Sequence, residues 1–208
     1  MAEPSQTAPS PTNSICIVGP QYCLPYPIDV GIVKKVMTIS DGNFVVTDGN
    51  GNILFKVKGV LPTFIHERRV MMDAMGNPVV TLRRKFMTAH YRWQVFRGES
   101  TEQNDMLFSA KTSSILYLKT KLHVFLANNV TEDVCDFRVE GSWFDRSCVV
   151  YLGETSTVVA QMKRKHTVGS VLIGKDNYMV TVHPNIDYAF MVAVIVILDE
   201  INHTGRQS

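Results

Sequence analysis

The segment DYAFMVAVIVILDEIN, from Asp187 to Asn202, constrains the fold of this chain most, because the ten residues Ala189 to Leu198 are apolar without a break. Spanning a bilayer takes about 20 apolar residues, so the run is too short to be a transmembrane helix on its own. An element that is apolar all round must be enclosed on every side. Val192, Val194, Ile195, Val196 and Ile197 are β-branched, which suits a buried strand, and periodicity alone does not separate the two forms. Length favours a helix over 187–202. Pro184 and Asn185 before the run and Asp187 in its first turn read as a helix start, and Asp199 and Glu200 close it.

The rest of the chain supplies an enclosure. Most of it alternates with period two, the pattern of strands with one buried face. Ile53, Phe55 and Val57 oppose Lys56 and Lys58; Tyr91, Trp93 and Val95 oppose Arg92 and Gln94. Cys135, Phe137 and Val139 oppose Asp136, Arg138 and Glu140, and Tyr178, Val180 and Val182 oppose Thr181 and His183. Further strands are expected at 28–37, 43–47, 69–73, 79–85, 106–111, 122–127, 147–152 and 157–163. About a dozen short strands fit a meandering antiparallel sheet or barrel.

An internal repeat supports this reading. Asp48-Gly-Asn-Gly51-Asn52 before one strand recurs as Asp73-Ala-Met-Gly76-Asn77 before another, 25 residues on. Asp, Asn and Gly supply the local hydrogen bonds and positive φ of tight hairpins, so each copy reads as strand, turn, strand. A phosphate-cradling loop is the other reading, but Gly49 and Gly51 are followed by neither a third glycine nor a helix pattern.

The chain has 208 residues, 45% hydrophobic and 19% charged, enough for one substantial core. It divides into a disordered Pro/Ser/Thr-rich tail at 1–13, one domain at 14–202 and a polar tail at 203–208. The tail has no apolar stretch and no basic start, so it is not read as a secretory signal, and a cytoplasmic protein is expected. Cys16, Cys23, Cys135 and Cys148 match no metal knuckle and are read as reduced thiols, Cys16 and Cys23 as packed rather than acylated ones. A net charge of +2 is too small to draw the whole molecule onto nucleic acid or an anionic membrane.

Asp176-Asn177-Tyr178, the alternating Val180 and Val182, Pro184-Asn185-Ile186-Asp187, the apolar helix and the closing Asp199 together resemble the C-terminal end of phospholipid scramblases. The tandem strand-turn motifs, with RRKFMTAHYRWQVFRG at 83–98, resemble more specifically the plant LURP-one-related family, over roughly residues 15–202. This resemblance implies a tubby-like fold, a closed antiparallel β-barrel of twelve strands around a central hydrophobic helix. Tubby-like proteins bind phosphoinositides through basic side chains and tether a transcription factor to the plasma membrane. The function implied is thus a non-enzymatic regulator or adaptor in plant defence signalling, peripheral at the plasma membrane or nuclear, with a scramblase-like lipid-handling protein as the alternative. Scramblases bind Ca²⁺ through an acid-rich segment before the helix, which Asp176 and Asp187 match in position. Lys175, Asn177 and Asn185 stand where further carboxylates would be wanted, and a hard cation takes six to eight oxygens, so these two are candidates only for weak binding and no metal is assigned.

Signatures of catalysis are missing: there is no GxSxG, HExxH, Walker A or CxxC, and the histidines at 66, 90, 123, 166, 183 and 203 are scattered. No catalytic residue or cofactor is expected. Cations are the best surface candidates, at Lys34-Lys35, Lys56 with Lys58, Arg68-Arg69, Arg83-Arg84-Lys85 and Lys163 to His166. The repeat puts Lys56 and Lys58 on one strand and Arg83, Arg84 and Lys85 on the corresponding one. If those strands are neighbours, the five form one outward stripe for a phosphoinositide or another anionic ligand. The plainer reading is a barrel face kept soluble by its lysines and arginines. Protein partners are compatible with either reading, and no oligomeric state follows.

Overall fold

Alternation along the chain produces, in the computed structural model, a sheet that closes on itself. Residues 14–35, 43–63, 66–85, 91–116, 119–164 and 178–204 are described. Among them run β1 (Ile28–Lys35), β2 (Asn43–Thr47), β3 (Ile53–Thr63), β4 (His66–Asp73), β5 (Pro78–Lys85) and β6 (Arg92–Arg97). They continue as β7 (Met106–Leu116), β8 (Lys119–Leu126), β9 (Phe137–Gly141), β10 (Val149–Leu152), β11 (Val158–Arg164) and β12 (Tyr178–Val182), and the helix α1 (Tyr188–Thr204) follows. Each strand pairs antiparallel with its chain neighbours, and β12 returns to pair with β1, so the barrel has no unpaired edge.

The expected hairpin turns are present twice with the same bonds. In the first, between β2 and β3, Asp48 N–H donates to Asn52 O at 2.9 Å, Gly51 N–H donates to Asp48 O at 3.1 Å, and Gly51 has φ +88°. In the second, between β4 and β5, Asp73 N–H donates to Asn77 O at 2.9 Å, Gly76 N–H donates to Asp73 O at 3.1 Å, and Gly76 has φ +97°. The Asn52 and Asn77 side-chain amides bond back to Asp48 and Asp73, which holds both carboxyls below the usual carboxylate range. Four strands run further than alternation predicts: β3 extends to Thr63 and β7 to Leu116, while β4 begins at His66 and β8 at Lys119. There the ladder is sustained by the partner's backbone, as in Val60 opposite Arg68 and Leu116 opposite Lys119.

Every residue of α1 from Ala189 to Ile201 is buried, inside a lining built from the inward set of each strand. Phe190 packs edge-on against Phe108 and tilted against Phe137, both at 4.9 Å between ring centres. Burying a large apolar side chain is worth about 1.5–3 kcal/mol, so barrel and helix each supply the dry surface the other needs. Chain direction gives the barrel two different ends. One carries the turns 48–52, 73–77, 98–105, 127–136 and 153–157 and the start of α1; at the other α1 finishes.

A strap of residues 14–24 covers the first end. Ile15 and Cys23 bridge to Ile186 and Asp187, so the strap flanks the three residues leading into α1 on both sides. Tyr22 stacks with Phe55 and Tyr188 at 5.6 and 5.4 Å, and the Arg97 guanidinium donates to Val18 O at 2.7 Å.

Candidate functional site

The cations of the outer face sort by strand register. On β3, Lys56 and Lys58 point outward between the buried Phe55 and Val57, and on β5, Arg83 and Lys85 point outward beside the buried Leu82. Alternation turns Arg84 the other way. It sits opposite the buried Trp93, ion-pairs through Nη1 with Glu67 Oε2 at 3.1 Å and lies over the Tyr91 ring at 4.7 Å. Nor are β3 and β5 neighbours. β4 runs between them and sets Met72 opposite Lys56 and Val70 opposite Lys58, while Lys56 Nζ is held by Ala74 O at 3.2 Å. The single stripe expected from the repeat is therefore split, with Lys56 and Lys58 on one side and Arg83 and Lys85 on the other.

Arg83 and Lys85 instead join a field of cations to their other side. Lys85 is directly opposite Arg92, Arg92 opposite Lys111, Lys111 opposite His123, and His123 opposite Arg138. This row crosses five adjacent strands on the outer face, and Arg83 faces Arg68 next to it. Like charges directly opposite on a sheet destabilise it. The fold offsets the cost locally. Glu132, from the loop between β8 and β9, takes Arg92 bidentately at 2.7 and 2.6 Å, Lys111 at 3.2 Å and the Ser109 hydroxyl at 3.1 Å. The Arg92 bonds foremost pull its carboxyl down to about 2. Glu132 holds this position at φ +54°, a left-handed conformation that non-glycine residues rarely adopt. Arg138 donates to Gly153 O at 2.6 Å and Thr155 O at 2.8 Å, meets Glu140 at 3.3 Å and lies over Tyr151 at 4.5 Å; Lys111 lies over Phe125 at 4.5 Å. At the centre of the row, burial and the nearby Lys121 push the His123 imidazole pKa down, which favours the neutral ring.

Acids dominate the end that carries the turns, with Asp48, Asp73, Glu99, Glu102, Asp105, Asp133 and Glu154. Cations gather toward the other, where Arg83, Lys85, Arg92, Lys121 and Arg146 lie. Among the described residues, acids thus lie mainly toward the first end and cations toward the other, where Glu67, Glu140 and Asp145 also stand.

Asp187, one of the two Ca²⁺ candidates, is fully buried and saturated. Its Oδ2 accepts N–H bonds from Ile17, Val18 and Gly19 at 3.0, 2.7 and 3.1 Å, and its Oδ1 caps α1 by accepting from Phe190 N–H at 3.0 Å. Four amide dipoles aimed at the carboxylate make Asp187 the anchor that ties the strap to the start of α1. Asp176, Lys175 and Asn177, like Lys165, His166 and the tail 1–13, lie outside the described residues. At the opposite end of α1, Glu200 takes Arg69 bidentately at 2.9 and 3.0 Å in a nearly buried ion pair. The sequence alone points to Asp199-Glu200 as a helix end and Arg69 as an outward cation; parity with the inward Met71 is the signal that Arg69 faces the core. The row of Arg92, Lys111, His123 and Arg138 is not legible in the sequence, since it exists only across strands. Cys16 is exposed and Cys23 half-buried, so Cys16 is not the packed thiol expected.

Comparison with known proteins fits this barrel. A family model described as LURP-one-related matches residues 28–199, from the first strand to the end of the apolar run. The chain belongs to the LURP-one-related family. It is 59% identical to the LURP-one-related 15 protein of Arabidopsis thaliana over 200 residues, 96% of this chain and 91% of that one. It is 52% identical to the LURP1 protein of the same plant over 189 residues, 91% of each chain. A crystal structure of an Arabidopsis thaliana protein, 52% identical, superposes with a TM-score of 0.71 over 89% of this chain and 98% of that one. In this LURP-one-related chain the matched span includes the complete cationic row and Asp187.

Proposed function

We propose that this LURP-one-related protein is a non-enzymatic adaptor that docks on phosphorylated anionic headgroups, phosphoinositides at the cytoplasmic face of the plasma membrane, through the row Lys85, Arg92, Lys111 and Arg138, and that it serves plant defence signalling. The observation that carries the reading is the placing of like charges directly opposite on adjacent strands, which weakens the sheet and is retained at a cost. Glu132 and Glu140 neutralise only part of it. The missing catalytic signatures support a binding role over an enzymatic one. Burial of α1 favours an adaptor over a lipid-handling protein, since an element enclosed on every side offers lipid no surface.

Sedimentation with vesicles containing a phosphoinositide, against vesicles of neutral lipid alone, tests the reading. Binding should fall steeply with salt, because the Debye length shrinks from about 10 Å at 0.1 M to 3 Å at 1 M. Each cation near an anionic membrane contributes about 1 kcal/mol, so Lys85→Glu should weaken binding roughly tenfold or more, while Lys58→Glu, on the separated strand, should change it little. No binding by the wild type, or equal loss in both variants, would remove the row from the explanation.

A further inference from the structure

The strap over the barrel end holds a feature that the cationic face does not use. The sulfurs of Cys16 and Cys23 and a carboxylate oxygen of Asp187 all lie within 4.8 Å of one another. This clustering is compatible with a metal site, but Asp187 already accepts four backbone N–H bonds, and those amide dipoles oppose a cation. What remains free to react is the pair of thiols.

We propose that Cys16 and Cys23 form a reversible two-electron redox site, in which a peroxide converts the dithiol to an intrachain disulfide that fastens the strap around the start of α1. The two thiols differ in a way that suits sequential steps. Cys16 is exposed, so a soluble peroxide reaches it first. Cys23 is half-buried and donates to Ile15 O at 3.6 Å; burial first, then contact with Cys16 and the charge of Asp187, push its pKa up to about 12. It is therefore a protonated thiol at neutral pH, which leaves Cys16 as the thiol that meets peroxide. In the first step the Cys16 sulfur, having released its proton, attacks one peroxide oxygen. The O–O bond breaks, hydroxide leaves and takes up a proton as water, and Cys16 becomes a sulfenic acid. In the second, the Cys23 sulfur attacks that sulfur and loses its proton, the S–O bond breaks, and a second water departs. Two thiols and one hydrogen peroxide give one disulfide and two waters. A thiol reductant reverses the reaction.

Selectivity follows from placement. Cys148 is buried in the core with its pKa pushed up to about 12 by burial, and Cys135 is buried with its Sγ donating to Glu154 Oε1 at 3.1 Å, so neither has an accessible thiol partner of this kind. The consequence is structural. Ile15 and Cys23 sit on opposite flanks of residues 185–187, so a bond from Cys16 to Cys23 closes the loop that wraps Asp187.

Intact-mass measurement of the full chain after treatment with a small excess of hydrogen peroxide tests the site. The wild type should lose about 2 Da, map the link to the Cys16 and Cys23 peptides, and regain the mass with dithiothreitol. Cys16→Ser and Cys23→Ala should show no such loss. Hydrogen exchange at the amides of Ile17, Val18 and Gly19 should slow in the oxidised wild type alone. The proposal is overturned if the wild type instead gains oxygen on Cys16 with Cys23 unmodified, forms a Cys16-linked dimer, or stays reduced under these conditions. Stoichiometric retention of added Zn²⁺ by the reduced wild type and not by the variants would equally overturn it, since the thiols would then be metal ligands.

Discussion

Replacing Asp187 by alanine should detach the strap and uncap α1 at once. The side chain accepts four backbone N–H bonds, three from the strap at 2.7–3.1 Å and one from Phe190 at 3.0 Å. A net hydrogen bond contributes about 1 kcal/mol, and more when the acceptor is charged; an N-cap contributes about 1 kcal/mol as well. Some of the freed strap amides would find water, so Asp187→Ala should cost about 4 kcal/mol, a large part of the 5–15 kcal/mol that holds a domain of this kind together. Asp187→Asn keeps one acceptor oxygen but loses the charge and turns an N–H₂ toward an N–H, so it should cost about 2 kcal/mol. Urea unfolding followed by tryptophan fluorescence gives the midpoints, and an unchanged slope would show that the native state has stayed closed. Hydrogen exchange at Ile17, Val18 and Gly19 localises the effect, with near-complete loss of protection in the alanine variant. An Asp187→Ala protein within about 1 kcal/mol of the wild type, or one whose strap amides remain protected, would refute the reasoning.

Three further outcomes rest on other parts of the barrel. Gly141→Ala should cost about 3 kcal/mol or more by thermal unfolding, because Gly141 has φ +139° and an added Cβ would sit 2.8 Å from the Cα of Cys148, the residue just before β10. Arg69→Met should cost about 3–5 kcal/mol in the same assay, since it leaves Glu200 buried without its guanidinium, whereas Arg69→Met with Glu200→Leu should recover most of the loss. Glu132 has its pKa lowered from the ordinary 4.5 to about 2, so its contribution is complete above pH 4.5 and is lost as pH falls toward 2. Screened by solvent at this half-buried site, that contribution is about 1–2 kcal/mol, and Glu132→Gln should remove it at neutral pH and flatten the acid limb of the stability curve between those limits.

How far the sequence reaches is seen by comparing β12 with the cationic row. Tyr178, Val180 and Val182 alternate with Met179 and Thr181, and the strand forms over Tyr178–Val182 because side chains on a pleated backbone alternate faces wherever one face is buried. The repeated Asp/Gly/Asn turns were readable for the same local reason: their hydrogen bonds and positive φ involve only residues a few positions apart. Length separated helix from strand at the C-terminal run, and the observed α1, Tyr188–Thr204, lies close to the expected 187–202. What pairs with what is not local. The repeat set Lys56 and Arg83 in corresponding places, yet whether corresponding strands touch depends on the order of strands around the barrel, and β4 intervenes. Parity put Arg84 and Arg69 on the inner face at the rim, where charge alone had suggested the surface. Alternation and length thus determined many short strands, a sheet or a barrel, and an apolar helix in need of enclosure, while the closed twelve-stranded barrel was implied by the family resemblance. Only closure of the sheet decided that Lys85, Arg92, Lys111, His123 and Arg138, scattered over 54 positions of the chain, would stand side by side, because register joins residues by hydrogen bonds between strands and not by distance in sequence.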